Sequence, residues 1–131
     1  MIKLTLYIID DEEEVVTALR AVFKPNKRYK LRVHTSVAAA LAEMKQHPPH
    51  LVICDHLMPE RSGLELLGEL KERYPRIRTV LLTGHDLDQS MMDGMEKGAV
   101  DVYIGKPWIQ AALEETIQRL AREVAVEGTH G

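Results

Sequence analysis

Five strand-like apolar segments, each stopping at a polar residue or glycine and followed by a segment of helical periodicity, leave this chain few ways to fold. Leu4-Thr5-Leu6-Tyr7-Ile8-Ile9 is apolar and β-branched and ends at Asp10-Asp11. Val15, Leu19 and Val22 then recur at helical spacing until Lys24-Pro25-Asn26. Tyr29 to His34 alternates, with Leu31 and Val33 apolar, which predicts a half-exposed strand. Ser36 is placed to cap a helix through Ala38, Leu41 and Met44 that Pro48-Pro49 terminates. Leu51-Val52-Ile53-Cys54 is an unbroken apolar run ending at Asp55, and a loop from Met58 to Gly63 leads to a helix carrying Leu64, Leu66, Leu67 and Leu70. Thr79-Val80-Leu81-Leu82, followed by Thr83-Gly84, predicts a fourth strand. A weaker helix covers roughly Asp88 to Lys97, interrupted by Gly94 and ended by Gly98. Val100 to Ile104 predicts a short strand before Gly105-Lys106-Pro107, and the last helix aligns Leu113, Ile117, Leu120 and Val124.

Connections this short permit only βα units, hence an α/β fold: a single doubly wound parallel sheet with helices on both faces. Unbroken apolar strands belong in its middle, so strands one, three and four are central and strands two and five outermost. There is no repeat or linker. One domain is expected over residues 1–124, with a C-terminal tail at 125–131. The 131 residues are 45% hydrophobic and 28% charged, which excludes a disordered or fibrous chain. A net charge of −3 offers no electrostatic footprint for nucleic acid or an acidic membrane. No apolar run approaches the ~18 residues that cross a bilayer. Acidic residues arrive by Asp10, too early for a secretory signal, and Cys54, the single cysteine, excludes an internal disulfide. A cytoplasmic location is therefore expected.

Ligands of open parallel sheets bind at the carboxyl ends of the strands. Those ends carry Asp10 and Asp11, Asp55, Thr83 and Lys106. Singly, an aspartate after a strand is commonly a turn former or a cap, a threonine a β-former and a lysine solvated. Jointly, they converge on one edge of the sheet. Two ionised carboxylates about 5 Å apart repel by about 3 kcal/mol at an effective dielectric of about 20. Three such pairs cost on the order of 10 kcal/mol, comparable to the stability of a small domain. One lysine cannot neutralise three acids, so either a carboxyl stays protonated or a divalent cation binds; hard oxygen donors favour Mg²⁺ or Mn²⁺.

The motifs Ile9-Asp10-Asp11-Glu12-Glu13, Asp55-His56-Leu57-Met58-Pro59 with Gly63, Thr83-Gly84, Gly98-Ala99 and Tyr103-Ile104-Gly105-Lys106-Pro107 span nearly the whole chain in fixed order. Together they resemble the receiver, or phosphoacceptor, domain of bacterial two-component response regulators. The resemblance implies a flavodoxin-like (βα)5 fold with strand order 2-1-3-4-5 and a signalling module rather than an enzyme. Asp55 would accept a phosphoryl group from the phosphohistidine of a sensor histidine kinase or phosphotransfer protein. Asp10, Asp11, Asp55 and the backbone carbonyl of Leu57 would hold Mg²⁺. Lys106 would pair with one phosphate oxygen, Thr83 would bond another, and Tyr103 would change rotamer with it. The resemblance also implies a cis Lys106-Pro107 bond and a partner or homodimer surface built from helix four, strand five and helix five.

His56 is expected to point away from the pocket and Cys54 to fill the sheet interior; the histidines have no paired zinc spacing. Gly63-x4-Gly68 is followed by Glu69 where a phosphate loop needs lysine. Met91, Met92, Met95 and Trp108 suit either the core or a partner surface. A tryptophan after Lys-Pro resembles receivers attached to cyclic-dinucleotide phosphodiesterase or hydrogenase-regulator outputs, and the last helix lacks the paired charges of winged-helix regulators. Leu57 and His85, two residues past Asp55 and Thr83, sit where similar domains set phosphoryl lifetime. An apolar Leu57 cannot orient water, which implies slow loss that His85 could counteract. A dehalogenase-like phosphatase needs a second acid where Leu57 stands, and a flavin site would be repelled by the acids after strand one. A receiver-like interaction module independent of phosphate is the remaining alternative.

Overall fold

A strand covered on both faces must feed two separate cores, and the unbroken apolar runs do so. The computed structural model describes residues 3–130, with side chains described through residue 125. The strands β1 (Leu4–Ile9), β2 (Tyr29–His34), β3 (Leu51–Asp55), β4 (Arg78–Thr83) and β5 (Val102–Gly105) alternate with the helices α1 (Glu13–Phe23), α2 (Val37–Met44), α3 (Gly63–Arg73), α4 (Gln89–Glu96) and α5 (Gln110–His130). The strands form one parallel sheet in the order β2-β1-β3-β4-β5, with the two edge strands where alternation and shortness put them.

Because successive side chains of a strand point to opposite faces, Leu6, Ile8, Ile53, Val80 and Leu82 pack beneath α1 and α5. Their neighbours Tyr7, Ile9, Val52, Cys54 and Leu81 pack against α2, α3 and α4. Cys54 lies in that second core with no exposure. On α1 the buried side is Val16, Leu19 and Phe23, one position round from the expected Val15 and Val22, which are only partly covered. On α2 it is Val37, Ala40 and Met44, with Ser36 capping through the Ala39 N–H at 3.3 Å. Of the four residues left between core and surface, Met91 is buried, Met92 and Met95 are exposed, and Trp108 packs partly covered against the α1–α5 core.

The reading of Gly94 also differs from the structure. Gly94 does not interrupt α4: a side chain there would run into Leu64 of α3, so glycine lets the two helices approach. The helix ends as expected at Gly98, whose φ of +85° is the left-handed conformation that stops helices. Helical backbone in α5 continues past Val124 to His130, because adding residues to a formed helix is cheap once it is nucleated. The 125–131 tail is thus helical through residue 130, and Gly131 lies outside the described residues.

Gly63 sets the loop that follows β3. Its N–H donates to the His56 carbonyl at 2.7 Å, and a Cβ would collide with the backbone oxygen of Asp55. Gly63→Ala is expected to destabilise the protein by roughly 1–3 kcal/mol in urea unfolding, because backbone cannot step aside. Gly94→Ala should cost less: it meets only the end of the Leu64 side chain and gains about 1 kcal/mol of helix propensity.

Candidate phosphoacceptor site

The parallel arrangement delivers the ends of β1, β3, β4 and β5 to one edge. Asp10 follows β1 and Asp55 closes β3; both are buried, while Asp11 is exposed at the mouth. A carboxylate oxygen from each lies within 4.8 Å of the others. Lys106 reaches across from beyond β5, and its Nζ donates to Asp55 Oδ1 at 2.7 Å and to Asp10 Oδ2 at 2.9 Å. The Lys106-Pro107 bond is cis. Glu12, which the sequence reading left without a role, brings Oε1 to 3.7 Å from the same ammonium. Its N–H donates to Asp10 Oδ1 at 2.9 Å, an Asx-type turn that orients the buried carboxylate.

Thr83 ends β4, buried, and its Oγ1 accepts the His85 N–H at 3.0 Å. Tyr103, partly buried on β5, donates its hydroxyl to the His85 carbonyl at 2.5 Å. The backbone of His85, through its N–H on one side and its carbonyl on the other, therefore joins the two residues expected to move together. That link is made by backbone, so no side-chain motif could announce it. Leu57 lies in the β3–α3 loop, more than half exposed, and the His85 side chain is also exposed. His56 is only partly exposed and its Nδ1 is buried without a hydrogen-bond partner, so it is less solvated than expected.

Burial raises the Asp55 pKa; the Lys106 hydrogen bond opposes this, and the charge of Asp10 adds to it, for a net rise. Burial alone would lower the pKa of Lys106, but its bonds to Asp55 and Asp10 outweigh that and hold it cationic. Burial likewise pushes the Cys54 thiol up, leaving it an inert core residue. The donor set, three carboxylates with oxygen only, two buried and one at the mouth, fits a hard divalent cation.

The family model for the response regulator receiver domain matches residues 6–118. The chain belongs to that family. This receiver domain is 27% identical over 124 residues to the hydrogenase transcriptional regulatory protein HoxA of Cupriavidus necator, covering 95% of this chain and 25% of that one. It is 32% identical to the transcriptional regulatory protein FixJ of Rhizobium meliloti over 120 residues, covering 92% of this chain and 58% of the relative. The chain thus spans between a quarter and somewhat over half the length of these two relatives. Its fold matches the signal receiver domain of an HD domain-containing protein from Pseudomonas fluorescens, with a TM-score of 0.87 at 23% identity, covering 97% of this chain and 93% of that one.

The raised Asp55 pKa has a consequence for stability. Between its unfolded value of 3.8 and its higher folded value, the native state holds more protons, so ionising Asp55 destabilises the fold as pH rises through that window. At neutral pH without divalent metal, Asp55→Asn is expected to stabilise the receiver domain by on the order of 1 kcal/mol. The gain comes from removing a charge that burial and the neighbouring Asp10 both disfavour, less the lost charge-assisted bond to Lys106. Urea midpoints should converge for wild type and variant as pH falls towards 3.8.

Proposed function

We propose that this receiver domain accepts a phosphoryl group on Asp55 from the phosphohistidine of a sensor histidine kinase or phosphotransfer protein. The observation that carries the reading is the Lys106 ammonium held by Asp55 and Asp10 beside Asp11, in a chain of this family. Asp10, Asp11 and Asp55, with the Leu57 carbonyl, would hold Mg²⁺. Bound Mg²⁺ supplies positive charge that offsets the repulsion between these acids and the incoming phosphoryl oxygens. An oxygen of Asp55 bonds to phosphorus as the phosphorus–nitrogen bond breaks, and the imidazole leaves with the electron pair. Lys106, already cationic and aimed at Asp55, pairs with an oxygen of the transferred group.

Thr83 Oγ1 accepts from the His85 N–H and so keeps its own proton to donate to another phosphoryl oxygen. Turning towards that oxygen breaks its bond to the His85 N–H, and the carbonyl of the same residue holds the Tyr103 hydroxyl. Charge at Asp55 thereby reaches the α4–β5–α5 surface, where Leu87, Met92, Met95 and Ile109 stand exposed for a partner or a second copy. This is a signalling role, not turnover of a substrate, and it fits a cytoplasmic protein that does not itself bind nucleic acid or membrane.

Acetyl phosphate with Mg²⁺ is expected to add one acid-labile phosphoryl group by intact mass, and Asp55→Asn to abolish it. An equal adduct in both proteins, or none in either, overturns the reading and returns the domain to a phosphate-independent module. With apolar Leu57 unable to orient an attacking water, the adduct on wild type should outlast the seconds timescale after the donor is removed. Loss within seconds would overturn the expectation of a long-lived adduct.

A further inference from the structure

At the end of the sheet opposite the acids, a cleft of about 890 Å³ opens between α5, the loop before β4 and the start of β3. Its floor is apolar, formed by Leu4, Pro49, Tyr74, Ile77 and Val124. Four arginines line it: Arg28, Arg73, Arg76 and Arg122, and no carboxylate lines it among the described residues. Arg73 shares its charge with Glu69 at 3.5 Å. His50 adds a further polar group; its Nδ1 accepts the Thr5 N–H at 2.9 Å, which leaves the ring proton on Nε2 as a donor.

Guanidinium groups present planar paired donors to carboxylate, sulfonate or phosphate oxygens. Pockets of about 300–1,000 Å³ with apolar walls and a few polar groups are the size and character of small-molecule sites. We propose that this cleft binds an amphipathic organic anion, an aromatic or acyl body carrying one anionic head, with the body against Ile77 and Val124 and the head among Arg28, Arg76 and Arg122. The apolar floor excludes a simple inorganic ion as the preferred occupant, because such an ion would leave that floor in water. The arginines in turn disfavour a neutral ligand, which would desolvate them without supplying a partner. This site is independent of the phosphoacceptor reading, since none of its residues belongs to that edge.

The probes are anilinonaphthalene sulfonate and its uncharged counterpart phenylnaphthylamine, titrated by fluorescence onto the whole chain. The sulfonate should bind with one-to-one stoichiometry, shift the backbone amides of His50 and Ile77 in nitrogen-correlated NMR spectra, and weaken as salt is raised. Arg76 and Arg122 are exposed, so the doubly substituted R76E/R122E chain should keep its thermal midpoint and circular dichroism. It should lose at least tenfold in affinity for the sulfonate, with phenylnaphthylamine unchanged, and Arg76→Gln with Arg122→Gln should fall between. Any of three results overturns the proposal: no saturable sulfonate binding, equal binding in wild type and R76E/R122E, or amide shifts clustered away from His50 and Ile77. Retention of an acidic leucine-rich peptide with neither small probe bound also overturns it, in favour of a protein partner.

Discussion

One ammonium makes the functional edge of this molecule tenable. Lys106 bridges Asp55 and Asp10, two buried carboxylates from neighbouring central strands, and among the described residues no other basic group forms an ion pair with either. The chain would not gather acids this way for stability alone, since a buried pair offers little over apolar packing. The rest of the fold is arranged to bring that lysine in. β5 must lie beside β4 for Lys106 to reach the ends of β1 and β3, and its N–H is anchored to the Thr83 carbonyl at 2.8 Å.

The same edge is tied together through backbone. Thr83, the backbone of His85 and Tyr103 form a short hydrogen-bonded chain from the base of the acidic site to the outer strand. Lower down, Thr79 Oγ1 donates to the Ala99 carbonyl at 2.7 Å, and Asp101 accepts from the Thr79 N–H and pairs with Lys71. The start of the β4–β5 pair is thus pinned by side chains as well as by the ladder.

Much of this was legible in the residues themselves. Apolar runs through Ile9, Cys54 and Leu82 mark buried central strands, because only a strand covered on both faces tolerates them. The acids followed from where such strands end, and the lysine from the end of the short edge strand β5. Helix faces were less legible: Val15 and Val16 are equally apolar, and only the packing of α1 on the sheet and α5 selects Val16. Gly94 read as a weak point because propensity is local, whereas its use is set by Leu64, thirty positions away. The link through the His85 backbone and the arginine-lined cleft had no sequence signature, since both arise from segments that meet only in three dimensions.

The shallow seating of α4 carries a last consequence. α3 sinks Leu66, Leu67 and Leu70 into the interior, while α4 commits only Met91 and the bare backbone at Gly94. A short helix held by one flexible thioether side chain and one close backbone contact has less buried apolar surface to lose on displacement than α3 has. Its outward methionines, Met92 and Met95, are flexible and polarisable side chains that can adapt their shape to whatever packs against them.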